Sequence, residues 1–311
     1  GDYLYEPVLG LDYTEFAGAV NLYYHVDRMY THFQDLGYTT STPVDIIANA
    51  HSDAGSTKTP LDNAFFSPSQ DMTRDIITTG QGSTIDLAYG GDVIMHEFTH
   101  SVVYHVAIGL DAPMFDAYGL NRMPSAIHEG LADYVPSYLH DSPVMGEWAL
   151  NELEPGAARD LSNNSKVCPD DMVGEEHYDG EILGATTWAI RQELGDAVLA
   201  DNIMFATLAR LTSTATYQDF HEALLVSLEE AVTNGDITQT QSDACAQISI
   251  DKGMDICGRY IPLDVPRSSQ VFGLDMLAQM MDGTCSDMRQ ILSMNQASIP
   301  TLFQHSVTVP A

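Results

Sequence analysis

Apolar residues recur at helical spacing from 14 to 37, with Thr14 as a candidate N-cap and Gly37 just past the end, which predicts a long amphipathic helix. His25 and His32 lie on it and are read as surface or core-edge residues, because no third group is spaced to help them hold an ion. Four short β-prone runs follow, 44–50, 63–67, 75–79 and 84–89, parted by clusters of Pro, Gly, Ser and Asp. They predict one sheet packed beside the first helix. Gly90-Gly91-Asp92 turns the chain into a second apolar-periodic run that reaches about Ala107, with Asp92 expected as its cap and Gly109 as its stop. After an irregular stretch, 111–124, the residues 126–134 read as another helix. The chain is then polar from 148 to 179, and a boundary between lobes is expected there. Residues 181–194, 196–211, 217–233 and 238–254 read as successive helices, with Gly195, Gly235 and Gly253 as stops. From 267 to 311 the periodicity weakens, with one helix expected at 286–295. The pattern is that of an α+β protein: an α/β lobe over 1–150, a helical lobe over 151–266, and a C-terminal extension, 267–311, to which no role is assigned.

Candidate chemistry sits in the second helical run, which contains Met95-His96-Glu97-Phe98-Thr99-His100 and so the pattern H-E-x-x-H. Residues four apart on a helix lie about 40° apart round the axis and about 6 Å along it, so His96 and His100 can offer ring nitrogens to one ion. Zinc suits two imidazoles, and Glu97 projects beside them, placed to take a proton from a polarised water without being a ligand. The motif alone also occurs by chance in unrelated helices. On the next helix Glu129 and Asp133 are four apart and share a face. One can reach the ion while the other accepts a hydrogen bond from the outer nitrogen of a ligand histidine. In an acidic chain such a pair can also be a plain solvated face.

Charge removes several function classes. With 12 Lys+Arg against 44 Asp+Glu the formal net charge is -32, which repels nucleic acid and anionic membrane surfaces. No run of about eighteen apolar residues is present, so no membrane span is expected. A chain opening Gly1-Asp2-Tyr3-Leu4-Tyr5 reads as a product from which an export signal has been removed, and secretion is the expected destination. Cys168, Cys245, Cys257 and Cys285 then predict two disulfides, with three pairings open; four buried thiols are the alternative.

Taken together, these residues resemble, in order over 12–259, the thermolysin-like and fungalysin-like zinc metalloendopeptidases, whose third ligand is a glutamate. Ala126-Ile127-His128-Glu129-Gly130-Leu131-Ala132-Asp133 resembles their third-ligand helix, so the resemblance implies zinc on His96, His100 and Glu129, with Asp133 behind a ligand histidine. Asn63-Ala64-Phe65-Phe66-Ser67 is similar to the edge strand that holds substrate backbone, and Val93 leads into the metal helix as it does there. Gly174-Glu175-Glu176-His177 resembles the fungalysin-like segment whose histidine stabilises the oxyanion, which implies that role for His177. Tyr118 is implied as a second oxyanion donor, and Arg159 as the arginine that binds a substrate carbonyl and steadies Asp133.

The family further implies a two-lobed α+β fold with the cleft between the lobes, a propeptide, a monomer acting on peptides and proteins, and a preference for bulky apolar residues on the amine side of the cut. Calcium is a further expectation, from Asp92, Asp141, Glu147, Glu152 and Glu154, whose spacing departs from the family's tight sites. The stretch between His100 and Glu129 is also longer than in thermolysin-like enzymes and reads as an insertion at the cleft rim. Val103 and Val106 stand where a metzincin needs glycine and histidine, with His105 one place off, so that class fails. The rival reading is a catalytically idle secreted binding or adhesive protein on a protease scaffold; its signature would be loss of Glu97 or a ligand, and none is lost.

Overall fold

The computed structural model describes residues 4–6, 16–54, 57–69, 73–110, 114–116, 119–163 and 165–258. The expectations for Thr14, Tyr118, Cys285 and the whole of 267–311 lie outside them. The chain is mixed α+β. Its first helix, α1 (Ala17–Asp35), starts behind Phe16 with no side-chain cap and ends at Leu36, before Gly37 at φ 92°. The buried face carries Leu22, Met29 and Phe33, as the spacing requires, but also His25 and His32, which the sequence had put at the surface or core edge. His32 is buried because it is paired: its Nε2 lies 3.0 Å from Asp201 Oδ2, and Asp201 also accepts the Tyr134 hydroxyl at 2.7 Å.

The sheet comprises β1 (Val44–Ala54), β2 (Thr57–Pro60), β3 (Ala64–Pro68) and β4 (Asp75–Gly80), in the order β2-β1-β4-β3. β1 runs parallel to β4, with Val44 opposite Asp75 and Ile46 opposite Ile77, until Asn49 at φ 56° shifts the register. β2 and β3 pair antiparallel to β1 and β4, which leaves β3 outermost in the described sheet. The strand expected at 84–89 is absent. Asp86 turns its carboxylate onto the Ala88 N–H at 2.9 Å and closes a single 3-10 turn, Leu87–Tyr89, so a local side-chain bond wins over β-propensity.

α2 (Gly91–Val106) is the helix that carries H-E-x-x-H, and all eleven of its residues from 93 to 103 are buried. A helix covered on every side must lie inside the molecule, and this one packs against α1, β3 and, across the other face, α3 (Met123–His140). Its cap is Gly90, not Asp92; Asp92 sits in the first turn, accepting from Val93 N at 2.9 Å and Gly146 N at 2.6 Å. The helix also ends at Ala107, short of Gly109. Between α2 and α3 runs a small hairpin, β5 (Met114–Asp116) with β6 (Gly119–Asn121). That hairpin lies in the stretch expected to be irregular; β7 (Val144–Met145) follows, and α4 (Ala149–Leu153) and β8 (Arg159–Asp160) lie in the polar stretch where a lobe boundary was expected.

Four α-helices and a closing 3-10 turn (Met254–Ile256) complete the described chain: α5 (Glu176–Leu194), α6 (Ala197–Leu208), α7 (Tyr217–Asn234) and α8 (Gln239–Asp251). α5 starts earlier than its apolar pattern suggests, because Glu175 caps it by accepting from Tyr178 N. Asp196 caps α6, reciprocal capping boxes (Thr216 with Asp219, Thr238 with Gln241) start α7 and α8, and left-handed Gly195 and Gly235 end α5 and α7. One apolar core runs through both halves, from Leu22 to Cys257. Cys168 and Cys257 form a disulfide across a sequence separation of 89, worth about 4 kcal/mol in chain-entropy terms. The expected second bridge is not present among the described residues, where Cys245 is buried in the core with no disulfide partner and burial pushes its thiol up to about 12. No helix among the described residues is long and apolar enough to cross a membrane.

Candidate metal centre

The site is assembled where three helices meet. α3 and α5 approach unusually closely because glycines face each other: a Cβ on Gly130 would stand 2.5 Å from Gly180 O and 2.8 Å from Leu183 Cβ. A Cβ on Gly180 would likewise stand 2.9 Å from Ala126 O and 3.0 Å from Glu129 Cβ. With no side chains between them, the backbones touch, and the first turn of α5 is laid against the turn of α3 that carries Glu129. α2 lies against α3 and brings its two histidines to the same point.

Three electron-pair donors converge there. His96 Nε2 and His100 Nε2 are 3.0 Å apart, and Glu129 reaches them with Oε2 at 3.2 Å from the first and Oε1 at 3.5 Å from the second. Ligands about 2.0–2.1 Å from a tetrahedral zinc stand roughly 3.3 Å from one another, so the spacing fits one ion. The chemistry fits as well: Glu129 Oε2 is buried and accepts no aligned hydrogen bond, a costly condition for a carboxylate oxygen unless a cation faces it. Burial alone would raise Glu129, yet His100 and His96 hold it well below the usual carboxylate range. Burial pushes His100 well below the ordinary imidazole value, against the pull of Glu129, as suits a neutral electron-pair donor.

Each histidine is held from behind. His96 Nδ1 lies 2.9 Å from Asp133 Oδ1, and Asp133 takes two hydrogen bonds from Arg159, Nε to Oδ2 and Nη2 to Oδ1, both at 2.6 Å. Burial opposes the charges on both partners; Arg159 nonetheless keeps Asp133 ionised, and Asp133 raises Arg159 above its usual value. Burial also opposes a charged His96, but the adjacent carboxylates of Asp133 and Glu129 outweigh it and raise it to about 10. His100 is held differently, with Nδ1 2.6 Å from Nδ1 of His128.

Glu97 does not join the ligands. It is buried, and the backbone N–H of Phe66 on β3 donates to its carboxylate. Burial raises it to about 7, with His96 and Phe66 pulling the other way. It is therefore poised to exchange a proton near neutrality. On the far side of Glu129, His177 stands half-exposed in the first turn of α5, its Nε2 3.5 Å from Glu129 Oε2 and its Nδ1 bonded to Glu175 Oε1 at 2.7 Å. Glu175 uses its other oxygen to cap the helix, so one carboxylate both starts α5 and orients the ring.

Of the other expected residues, Ala64 opens β3, paired with Thr79, and Asn63 is exposed just before it. Val93 is buried in a separate apolar cluster with Ile85, Leu87, Met145 and Ala149, so its side chain is not on an open surface. Arg159 is committed to Asp133. Asp92 is spent on backbone amides and Asp141 on Arg191 at 2.7 Å, and among the described residues the five acids expected for calcium form no cluster of three. Glu175, Glu176 and His177 do come together near the surface, but Glu176 is paired with Arg122 and Glu175 caps α5.

Sequence reasoning missed His128, Glu175 and the facing glycines. Gly180 and Gly184, four apart on one helix face, were the legible signal for a close helix crossing; nothing in the spacing pointed to His128. No protein-family model matches the chain, and no curated protein matches it significantly.

Proposed function

We propose that this protein is a secreted zinc-dependent endopeptidase built on a two-lobed, thermolysin-like plan. The observation that carries the reading is the triangle of His96, His100 and Glu129 at the spacing of one tetrahedral ion, with Glu97 beside it and outside it. Bound there, zinc supplies a Lewis acid that polarises a carbonyl and lowers the pKa of a water to near neutrality.

The chain's own residues supply the rest. Glu97 accepts the proton of the attacking water and hands it to the departing amine, a transfer its raised proton affinity suits. His177, its ring oriented by Glu175, meets the negative charge that develops on the carbonyl oxygen. Arg159 and Asp133 fix the ring of His96. The outer edge of β3 offers backbone groups to an extended peptide, and because Phe66 on that strand also bonds Glu97, peptide and proton acceptor are held by one element. A chain that lies along a strand edge need not present a terminus, which favours cleavage within polypeptides. The Cys168–Cys257 bridge agrees with an oxidising destination.

The direct test is casein hydrolysis by the purified protein before and after a zinc chelator. Activity that vanishes on chelation and returns with zinc supports the reading. A protein that binds one zinc per chain yet cleaves nothing over a broad peptide library is the idle scaffold instead.

A further inference from the structure

The His100–His128 contact is unlike the one behind His96. The two ring planes are 15° apart and their centroids 4.6 Å apart, slightly less than the Nδ1···Nδ1 distance of 2.6 Å plus the two ring radii. The near-parallel rings are offset so that nitrogen faces nitrogen within hydrogen-bond distance. Two facing nitrogens at that distance share one proton. His100 turns its Nε2 towards His96 Nε2 and Glu129 Oε1; to give that lone pair to an ion it must carry its own proton on Nδ1. The proton between the rings then belongs to His100, and His128 accepts it with a bare Nδ1, keeping its own proton on Nε2. His128 adjoins Glu129 in sequence, so one turn of α3 supplies both a ligand to the ion and the acceptor that orients another ligand.

We propose that His128 is the positioning residue that fixes the tautomer and ring angle of His100, so that affinity for the ion depends on a neutral imidazole where the partner of His96 is a carboxylate. The inference rests on the zinc reading above and deepens it. A charged acceptor would add negative charge beside the donor set; a neutral one sets the tautomer while leaving the charge of the site to Glu129. Groups of this kind commonly govern metal affinity by about 10–100-fold.

The test uses the full chain stripped of metal, titrated with zinc against a chromophoric chelator. Wild type, His128→Ala, His128→Asn and Glu97→Gln are compared. An asparagine oxygen can occupy the place of the histidine Nδ1, so His128→Asn is expected to bind zinc within about 3-fold of wild type. His128→Ala is expected to lose about 10–100-fold. Glu97→Gln should leave the affinity within a few-fold. Cobalt in place of zinc gives a second readout: the visible ligand-field bands should change in His128→Ala and be restored in His128→Asn. In long-range 1H–15N spectra of the zinc form, the His100 Nδ1–H should be present in wild type and His128→Asn. Unchanged zinc affinity and cobalt spectrum in His128→Ala would overturn the inference while leaving the metal centre intact. So would a His128→Asn protein that folds, by circular dichroism, but binds zinc as weakly as the alanine variant, and this arm still decides if His128→Ala does not fold. A wild-type chain that binds no zinc overturns the functional reading itself, a result distinct from both.

Discussion

The α2–α3 pair and the α6–α8 helices are both buried against the same core, yet they are stabilised in opposite ways. The α6–α8 region mostly follows local rules, with polar caps at the starts, left-handed glycine between α7 and α8, and an interior of residues such as Leu208, Phe220, Leu224 and Leu228, although it too buries Asp201 and His221. α2 and α3 break them. They bury His96, Glu97, His100 and Asp133, α2 has no side-chain cap, and α3 contains Pro136. A segment that violates the rules for stability in the middle of a fold that obeys them is where function is expected.

The comparison is broken most sharply at Glu97. Glu97→Gln should retain zinc and lose peptide hydrolysis by about 10³-fold or more, within the range for removal of a general base; equal turnover by the two proteins would take away its role. Next is the pair behind His96. Arg159→Ala leaves Asp133 buried without its bidentate partner, and a loss of about 3–5 kcal/mol in chemical unfolding is expected. A change under 1 kcal/mol would show that the pair is not a structural charge.

A third measurement asks whether the site is strained without its ion. Burial raises Glu97 from 4.5 to about 7 in the folded chain, so between those values the native state holds more protons than the unfolded one. Stability from this group is fully present below pH 4.5 and is lost as pH rises through 7. Metal-free Glu97→Gln should therefore be more stable than metal-free wild type at pH 8, by on the order of 3 kcal/mol, with the gap closing towards pH 4.5. A gap independent of pH would contradict this. Bound zinc lowers the proton affinity of Glu97, so the acid limb of kcat/KM should fall below pH 7. The smallest effect lies in the other region: Thr216→Ala should cost only about 1 kcal/mol, the worth of one helix cap, and leave proteolysis unchanged. Lost activity there would mean that the two regions are coupled more tightly than their shared core implies.

Much of this was legible in the sequence because it depends on periodicity within one element. The spacing of His96 and His100 follows from 3.6 residues per turn, as does the shared face of Glu129 and Asp133, and α1, α2, α3 and α5–α8 all announce themselves by apolar recurrence. Errors came where a side chain overrode a local average: Asp86 converted an expected strand into a turn, Glu175 extended α5 backwards, and paired Asp201 drew His32 inside. Cysteine pairing was open because loop closure constrains length only weakly.

Which residues sit on a common face of α2, and that a carboxylate on a later helix could complete a set of ligands, was determined by the order of amino acids alone. That His96, His100 and Glu129 stand at about the edge lengths of one tetrahedron was decided by the glycine-lined contact of α3 with α5 and the burial of α2 between sheet and helix. The same packing placed His128 against His100 and His177 beside Glu129. Periodicity is a property of a single helix, whereas a ligand set and its supporting groups are distances between helices, and those depend on how closely their backbones can pack.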